Sequence, residues 1–254
     1  MRVTGRDATG PARALAVLLV LAALAVSCGQ DEPSPTKAPE GSEAVTFDSA
    51  DGVPLEGRLF GQGSVGVVLS HMRPSDQTSW WDFAQDLVDE GYLVLTYDFR
   101  GYCPGAVGGC SQGERDLGEI WRDVVGAVDF IRSRGATQVA LIGASMGGTA
   151  SLVAAAEDGV DADVVVTLSA PASFEGMDLT PEVLTKVMAA KLFIAGNGDG
   201  SAPDDAQTLY ASSAPPKRVE ILTTDDHGTD ILDGNQSGRA RNLILTYLEQ
   251  YLGA

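Results

Sequence analysis

A chain of 254 residues with 35 Asp and Glu against 17 Lys and Arg carries a formal charge of −18 at pH 7. A field of that sign repels polyanions, which excludes nucleic acid and polyanionic substrates as partners. The length admits one domain with a sizeable core behind an N-terminal leader and leaves no room for a second.

The leader comes first. Arg2, Arg6 and Arg13 precede an unbroken apolar run from Ala14 to Val26. Such a run after basic residues suits the hydrophobic region of a secretory signal and is too short to span a bilayer comfortably. It ends Leu24-Ala25-Val26-Ser27-Cys28, which resembles a bacterial lipobox, with Cys28 as the lipidated residue. Gly29 to Ser42, rich in Pro, Glu, Ser and Lys, has too little apolar content to pack and reads as a tether. The expected division is therefore residues 1–27 as signal peptide, 28–43 as lipid-anchored tether and 44–254 as the folded domain. Removing the leader, with its three Arg and one Asp, leaves a mature charge near −20. The arrangement implies an extracytoplasmic protein held on a membrane by its N-terminal lipid, with a monomer as the expected state.

Within the domain, β and α patterns alternate. Val45–Phe47 and Leu55–Phe60 flank the turn Asp51-Gly52 and predict an opening hairpin. Val65–Ser70 is a continuous apolar run, as in a strand buried on both faces. Trp80–Glu90 places Trp80, Phe83, Ala84, Leu87 and Val88 on one helical stripe, and Tyr92–Tyr97 is the next strand. Leu117–Arg132 reads as a helix, Val139–Ile142 as a strand, Thr149–Glu157 as a helix and Asp163–Leu168 as a strand. A short helix over Pro181–Met188, a strand at Leu192–Ala195 and a helix over Pro203–Ser212 follow. Arg218–Leu222 is the last strand and Arg239–Leu252 the closing helix. Repeated β-α units predict a mostly parallel sheet covered by helices on both faces, with ligands at the carboxyl ends of the strands.

Cys103 and Cys110 remain as a pair across a short Pro/Gly loop. Outside the cytoplasm a disulfide is the default, whereas two cysteines without nearby histidines cannot fill a structural zinc site. No metal and no organic cofactor is expected.

The chemistry concentrates at Gly143-Ala144-Ser145-Met146-Gly147-Gly148, which follows an apolar strand and opens a helix. A G-x-S-x-G in that setting presents its serine at a strained apex, as a nucleophile elbow does. A second copy, Gly109-Cys110-Ser111-Gln112-Gly113, has no strand before it, so Ser111 reads as a loop residue. A serine hydroxyl needs a base held in orientation. Of the two histidines, only His227 follows Ser145, just past the last strand. Asp199, in the loop after Leu192–Ala195, is the candidate acid; Asp204, Asp205, Asp225 and Asp226 read as surface or helix-capping groups.

These residues resemble the α/β-hydrolase superfamily, nearest its dienelactone-hydrolase-like and small esterase branches, over Val45 to Leu252. Gly196 to Pro203 matches that family's G-x-x-D-x-x-x-P loop, and Asp98-Phe99-Arg100-Gly101 its structural D-x-R-G segment. The resemblance implies an α/β-hydrolase fold with a central sheet of about eight strands. It also implies a serine hydrolase, most readily a carboxylic ester hydrolase acting on small-molecule esters through a Ser145–His227–Asp199 triad and an acyl-enzyme. Thioesterase, amidase or peptidase activity on the same fold, or a non-catalytic binding lipoprotein, are the alternatives. Ser70-His71-Met72-Arg73-Pro74 occupies the place of the family's H-G-x-P, so the backbone N–H of Arg73, or of Met72, would join that of Met146 in the oxyanion hole. His71 is expected to be structural. Only about twenty residues separate Leu168 from Lys191, too few for a lid, and Trp80, Trp81, Met72 and Met146 would either line an acyl pocket or pack in the core.

Overall fold

The computed structural model describes residues 37–103, 110–157 and 159–253. By contacts the chain divides between Ser34 and Pro35, and Pro35–Ala254 forms the second, compact unit. The expected signal peptide, Cys28 and the tether as far as residue 36 lie outside the described residues.

The second unit is built on an eight-stranded sheet. Its strands are β1 (Glu43–Asp48), β2 (Pro54–Phe60), β3 (Val65–Ser70), β4 (Leu93–Tyr97), β5 (Gln138–Ala144), β6 (Val164–Leu168), β9 (Ala190–Gly196) and β10 (Lys217–Leu222). A small separate hairpin supplies β7 (Ser173–Phe174) and β8 (Met177–Asp178). The sheet order is β1-β2-β4-β3-β5-β6-β9-β10, with β1 and β2 antiparallel and every pairing from β4 onward parallel. Six helices follow the strands: α1 (Trp81–Asp89), α2 (Trp121–Ser133), α3 (Met146–Ala155), α4 (Pro181–Leu184), α5 (Ala202–Ser212) and α6 (Ser237–Leu252). This is the α/β-hydrolase fold that the sequence implies.

Side-chain alternation explains why the inner strands read as unbroken apolar runs. On β5, Val139 and Leu141 join one core while Ala140 and Ile142 join the other; on β3, Val68 faces the first and Val67 and Leu69 the second. The first core contains Ile120 and Val124, beside and on α2, Leu152 of α3 and Leu209 of α5. The second takes Phe83 and Leu87 from α1 and Ile244 and Leu248 from α6. Trp80 and Trp81 belong to that second core, 0% and 5% exposed, so they are packing residues and not the wall of an open acyl pocket.

Two helices are shorter than their patterns predict. The helix expected from Leu117 starts at Trp121, because the Asp116 carboxylate accepts from the Gly118 N–H and folds the chain into a turn first. The helix expected to reach Met188 is the single turn α4, capped by Thr180. The Glu182 carbonyl, which a longer helix would offer to the Lys186 N–H, accepts instead from the Thr185 hydroxyl at 3.0 Å, and the Lys186 N–H donates to the Val183 carbonyl. The β7–β8 hairpin was not foreseen. Its turn, Glu175-Gly176, has positive φ at both residues (47° and 86°), the geometry of a tight two-residue hairpin.

Candidate active site

Ser145 stands between β5 and α3 with φ 48° and ψ −119°, a conformation a non-glycine residue rarely holds. Strain of this kind costs about 1–3 kcal/mol and persists only where the surroundings over-determine it. Here they do. The Ser145 N–H donates to the Leu168 carbonyl at 2.8 Å, and the Ser145 carbonyl accepts from the Gly148 and Thr149 N–H groups of the first turn of α3. A side chain at Gly147 would collide with the backbone carbonyls of Ser70 and His71, and one at Gly143 with the backbone of Gly147. The glycines therefore let α3 begin hard against the end of β3.

Asp199 and His227 are brought together by the loops after β9 and β10. The Asn197 N–H donates to the Leu222 carbonyl and the Gly198 N–H to that of Thr224, at 2.8 and 3.1 Å, which staples one loop to the other. At Gly196 a side chain would press on the Thr224 carbonyl at 2.5 Å, so the approach requires glycine. The result is a close pair: His227 Nδ1 lies 2.9 Å from both Asp199 Oδ1 and Oδ2. A carboxylate presenting both oxygens to Nδ1 fixes the proton there and leaves Nε2 as the basic nitrogen. His227 keeps 41% of its side chain exposed while Asp199 keeps 12%, so the acid is sheltered and the base is reachable.

Two contacts tie Gly228, the residue after His227, to the neighbourhood of the Ser145 turn. Gly228, with φ 57°, lies against the Met72 sulfur, and a side chain there would reach the Cβ of Ala144 at 3.3 Å. Its N–H donates to Ser169 Oγ at 3.1 Å. Ser169 follows Leu168, whose carbonyl holds Ser145, and is itself strained at φ 56°. Sequence reasoning missed Ser169; its only signal was a polar residue closing an apolar strand at the carboxyl edge. Ser145, Asp199 and His227 thus stand at the carboxyl ends of β5, β9 and β10, at one edge of the sheet.

His71 is wholly buried, and both ring nitrogens are engaged. Nε2 accepts from the Phe99 N–H at 3.2 Å, so Nδ1 carries the proton and donates to the Met72 carbonyl at 2.9 Å. Carbonyl and N–H point in opposite directions across a trans peptide, so this bond turns the Arg73 N–H away from the imidazole. Among the described residues, neither the Arg73 nor the Met146 N–H has an acceptor. Both sit where α3 meets the end of β3.

Burial pushes His71 down to about 4, from 6.5 in an unfolded chain. Between those values the unfolded state binds the extra proton, so stability rises with pH. The contribution is complete above about pH 6.5 and is lost as pH falls toward 4, a change of about 3 kcal/mol. Asp98, pushed up to about 6 by burial, acts in the opposite sense, so the His71 effect is read by difference. Urea unfolding of wild type and His71→Asn at pH 4.5 and 7.5 is expected to show the wild type losing more stability on acidification. Independently, the His71 ring should remain the neutral Nδ1–H tautomer at pH 5.5 by nitrogen NMR.

The other sequence candidates resolve into structural roles. Ser111 is 4% exposed, accepts from the Glu56 N–H and donates to the Asp98 carbonyl, so its hydroxyl ties the loop to the sheet. Asp98 accepts from the Gln77 backbone and side-chain N–H groups. Arg100 is clamped by Asp123 and by Asp51, whose carboxyl the guanidinium holds down near 2. Cys103 and Cys110 are joined in a disulfide. Asp204 and Asp205 lie in the first turn of α5, Asp226 accepts from the Thr224 hydroxyl, and Asp225 packs on Gly198. Among the described residues, no cluster of three or more His, Cys, Asp or Glu could hold a metal ion.

Comparison with known proteins places this geometry. Structures sharing the fold include an esterase from Pyrococcus furiosus (16% identity, 83% of this chain and 91% of that one, TM-score 0.70). An α/β hydrolase from Penicillium matches at 18% identity, over 85% of this chain and all of the other, with a TM-score of 0.69. A thermophilic esterase from Thermogutta terrifontis matches at 17%, over 82% and 99%, with a TM-score of 0.64. No curated protein sequence matches significantly. Residues 66–220, from β3 into β10, match the hydrolase family described as serine aminopeptidase, S33; the match takes in Ser145 and Asp199 and ends before His227, and the chain belongs to that family.

Proposed function

We propose that the protein is a serine hydrolase of carboxylic esters, and the observation that carries this reading is the Asp199–His227 pair whose next residue, Gly228, packs by Ala144 beside the strained Ser145 turn. Ser145 attacks the acyl carbon while His227 Nε2 takes the hydroxyl proton. His227 then returns that proton to the leaving oxygen, and Asp199 stabilises the imidazolium between the two steps. Water, activated by the same nitrogen, releases the acid and restores Ser145. The backbone N–H groups of Met146 and Arg73 hold the oxyanion, with the positive end of α3 behind them. Arg73 is preferred to Met72 because His71, by fixing the Met72 carbonyl, aims the N–H on the other side of that peptide.

Esterases among the structural neighbours favour esters; the family description favours an amide-cleaving aminopeptidase as the second reading. A fluorophosphonate probe tests the chemistry, and a panel of matched esters, thioesters and aminoacyl amides separates the readings. Labelling of the wild type that disappears in Ser145→Ala is the expected result. No labelling of the wild type would identify a binding protein on a hydrolase scaffold.

The leader supports a location as well. A basic start, the apolar run and Ser27-Cys28 suit export and lipidation at Cys28, which would hold the enzyme on the outer face of a membrane. Cys28→Ala is expected to release the protein from the membrane fraction and to abolish incorporation of labelled fatty acid.

A further inference from the structure

A pocket of about 430 Å³ opens beside the candidate oxyanion corner, lined by Arg73, Pro74, Ser75, Asp76, Tyr102, Cys103 and Arg115. It adjoins the site through Tyr102, whose hydroxyl reaches the Met146 sulfur at 3.9 Å and whose ring packs on His71. Its charge is unusual for this molecule. Carboxylates outnumber cationic side chains two to one, and Arg100, Arg122, Arg134, Arg218, Arg239 and Arg241 each reach one. Arg73 and Arg115 reach none among the described residues. The pocket's own acid, Asp76, already accepts from the Thr78 N–H and hydroxyl. Arg115 is held despite its exposure: its guanidinium stacks 4.0 Å over the Tyr102 ring, which leaves the edges of its N–H fork free.

Two arginines without carboxylate partners among the described residues, in one concave site that includes the candidate oxyanion donor Arg73, match a planar anion. We propose that this pocket binds a carboxylate carried by the ester, so that the preferred substrates are esters with a free carboxylate a few bonds from the scissile group. The same pair repels the ammonium of an aminoacyl substrate. The mature charge near −20 repels anions at long range, so the pocket admits a single carboxylate where a polyanion is turned away. The inference rests on the esterase reading, and its test separates the two.

The kcat/KM of p-nitrophenyl hydrogen adipate is compared with that of p-nitrophenyl hexanoate, and 4-acetoxybenzoate with p-tolyl acetate. The first pair carries the anion on the acyl side and the second on the alcohol side. In at least one pair the anionic ester is expected to be preferred about tenfold or more, as for a charge-assisted, bidentate contact. That preference should fall about tenfold in Arg115→Gln and be only partly retained in Arg115→Lys, which keeps the charge but loses the stacked fork. Preference in neither pair, or a preference indifferent to Arg115→Gln, overturns the inference and leaves the esterase reading standing. Binding gives a readout that needs no turnover: monomethyl adipate should bind the Ser145→Ala protein more tightly than methyl hexanoate does, and lose that advantage when Arg115→Gln is added. Equal binding overturns the pocket assignment, whereas failure of the fluorophosphonate reaction overturns only the chemistry.

Discussion

Ser145→Ala is expected to lower kcat on p-nitrophenyl butyrate by about 10⁴-fold or more, and Asp199→Asn by about 10³–10⁴-fold, with both proteins folded. The two losses have different causes. Without the Ser145 hydroxyl no acyl-enzyme forms, and the residual rate is what bound water and the backbone donors sustain. With Asp199→Asn the nucleophile stays, but an amide can donate to Nδ1. The imidazole then turns its proton to Nε2, the nitrogen that must accept from Ser145. Asp199→Ala removes that misdirection and should be less damaging than Asp199→Asn at high pH, where imidazole is neutral. Because Asp199 acts only through His227 on the Ser145 hydroxyl, the double variant Ser145→Ala/Asp199→Asn should be little worse than Ser145→Ala alone. Circular dichroism and urea midpoints close to wild type would assign the loss to chemistry. Turnover by Ser145→Ala at a tenth of the wild-type rate or better would refute the nucleophile.

Much of this architecture is written in local patterns. The inner strands of the main sheet are visible as apolar runs, because they bury both faces and leave no polar alternation to confuse, whereas β1, β2 and β10 show only as short mixed patterns. Helices were legible where one face carries the core, as in α1 and α6, and misjudged where a side chain competes with the helix for its backbone. Asp116 delays α2, and the Thr185 hydroxyl takes the Glu182 carbonyl that would extend α4. The catalytic loops were legible for a similar reason. Gly143, Gly147 and Gly196 stand at close backbone approaches that no other residue permits, and each flanks a polar residue of the site. Ser169 and the absence of carboxylate partners for Arg73 and Arg115 among the described residues were not legible. They depend on which loops meet at the sheet edge, and nothing within ten residues of any of them records that.

Gly147→Ala is the second change with a large expected effect, and it follows from one close approach. A Cβ at Gly147 would collide with the Ser70 carbonyl and lie 2.6 Å from that of His71. Both are backbone atoms at the end of a central strand, so neither can rotate away as a side chain would. The strain must be relieved by lifting the first turn of α3 off β3. That shift costs about 2–4 kcal/mol in stability, within the range for overpacking a buried contact. It also moves the Met146 N–H relative to that of Arg73, and losing one aligned donor slows acyl transfer about 10²–10³-fold. Gly238→Ala, in the first turn of α6 with nothing within 4 Å of its added methyl, supplies the control and should leave rate and midpoint almost unchanged. The informative measurement is kcat at a temperature where Gly147→Ala is still fully folded. A wild-type rate there would mean that the donors do not depend on the packing of α3 against β3, and that the oxyanion is held elsewhere. A rate reduced a hundredfold in a folded protein would tie catalysis to the same glycine that lets the helix begin.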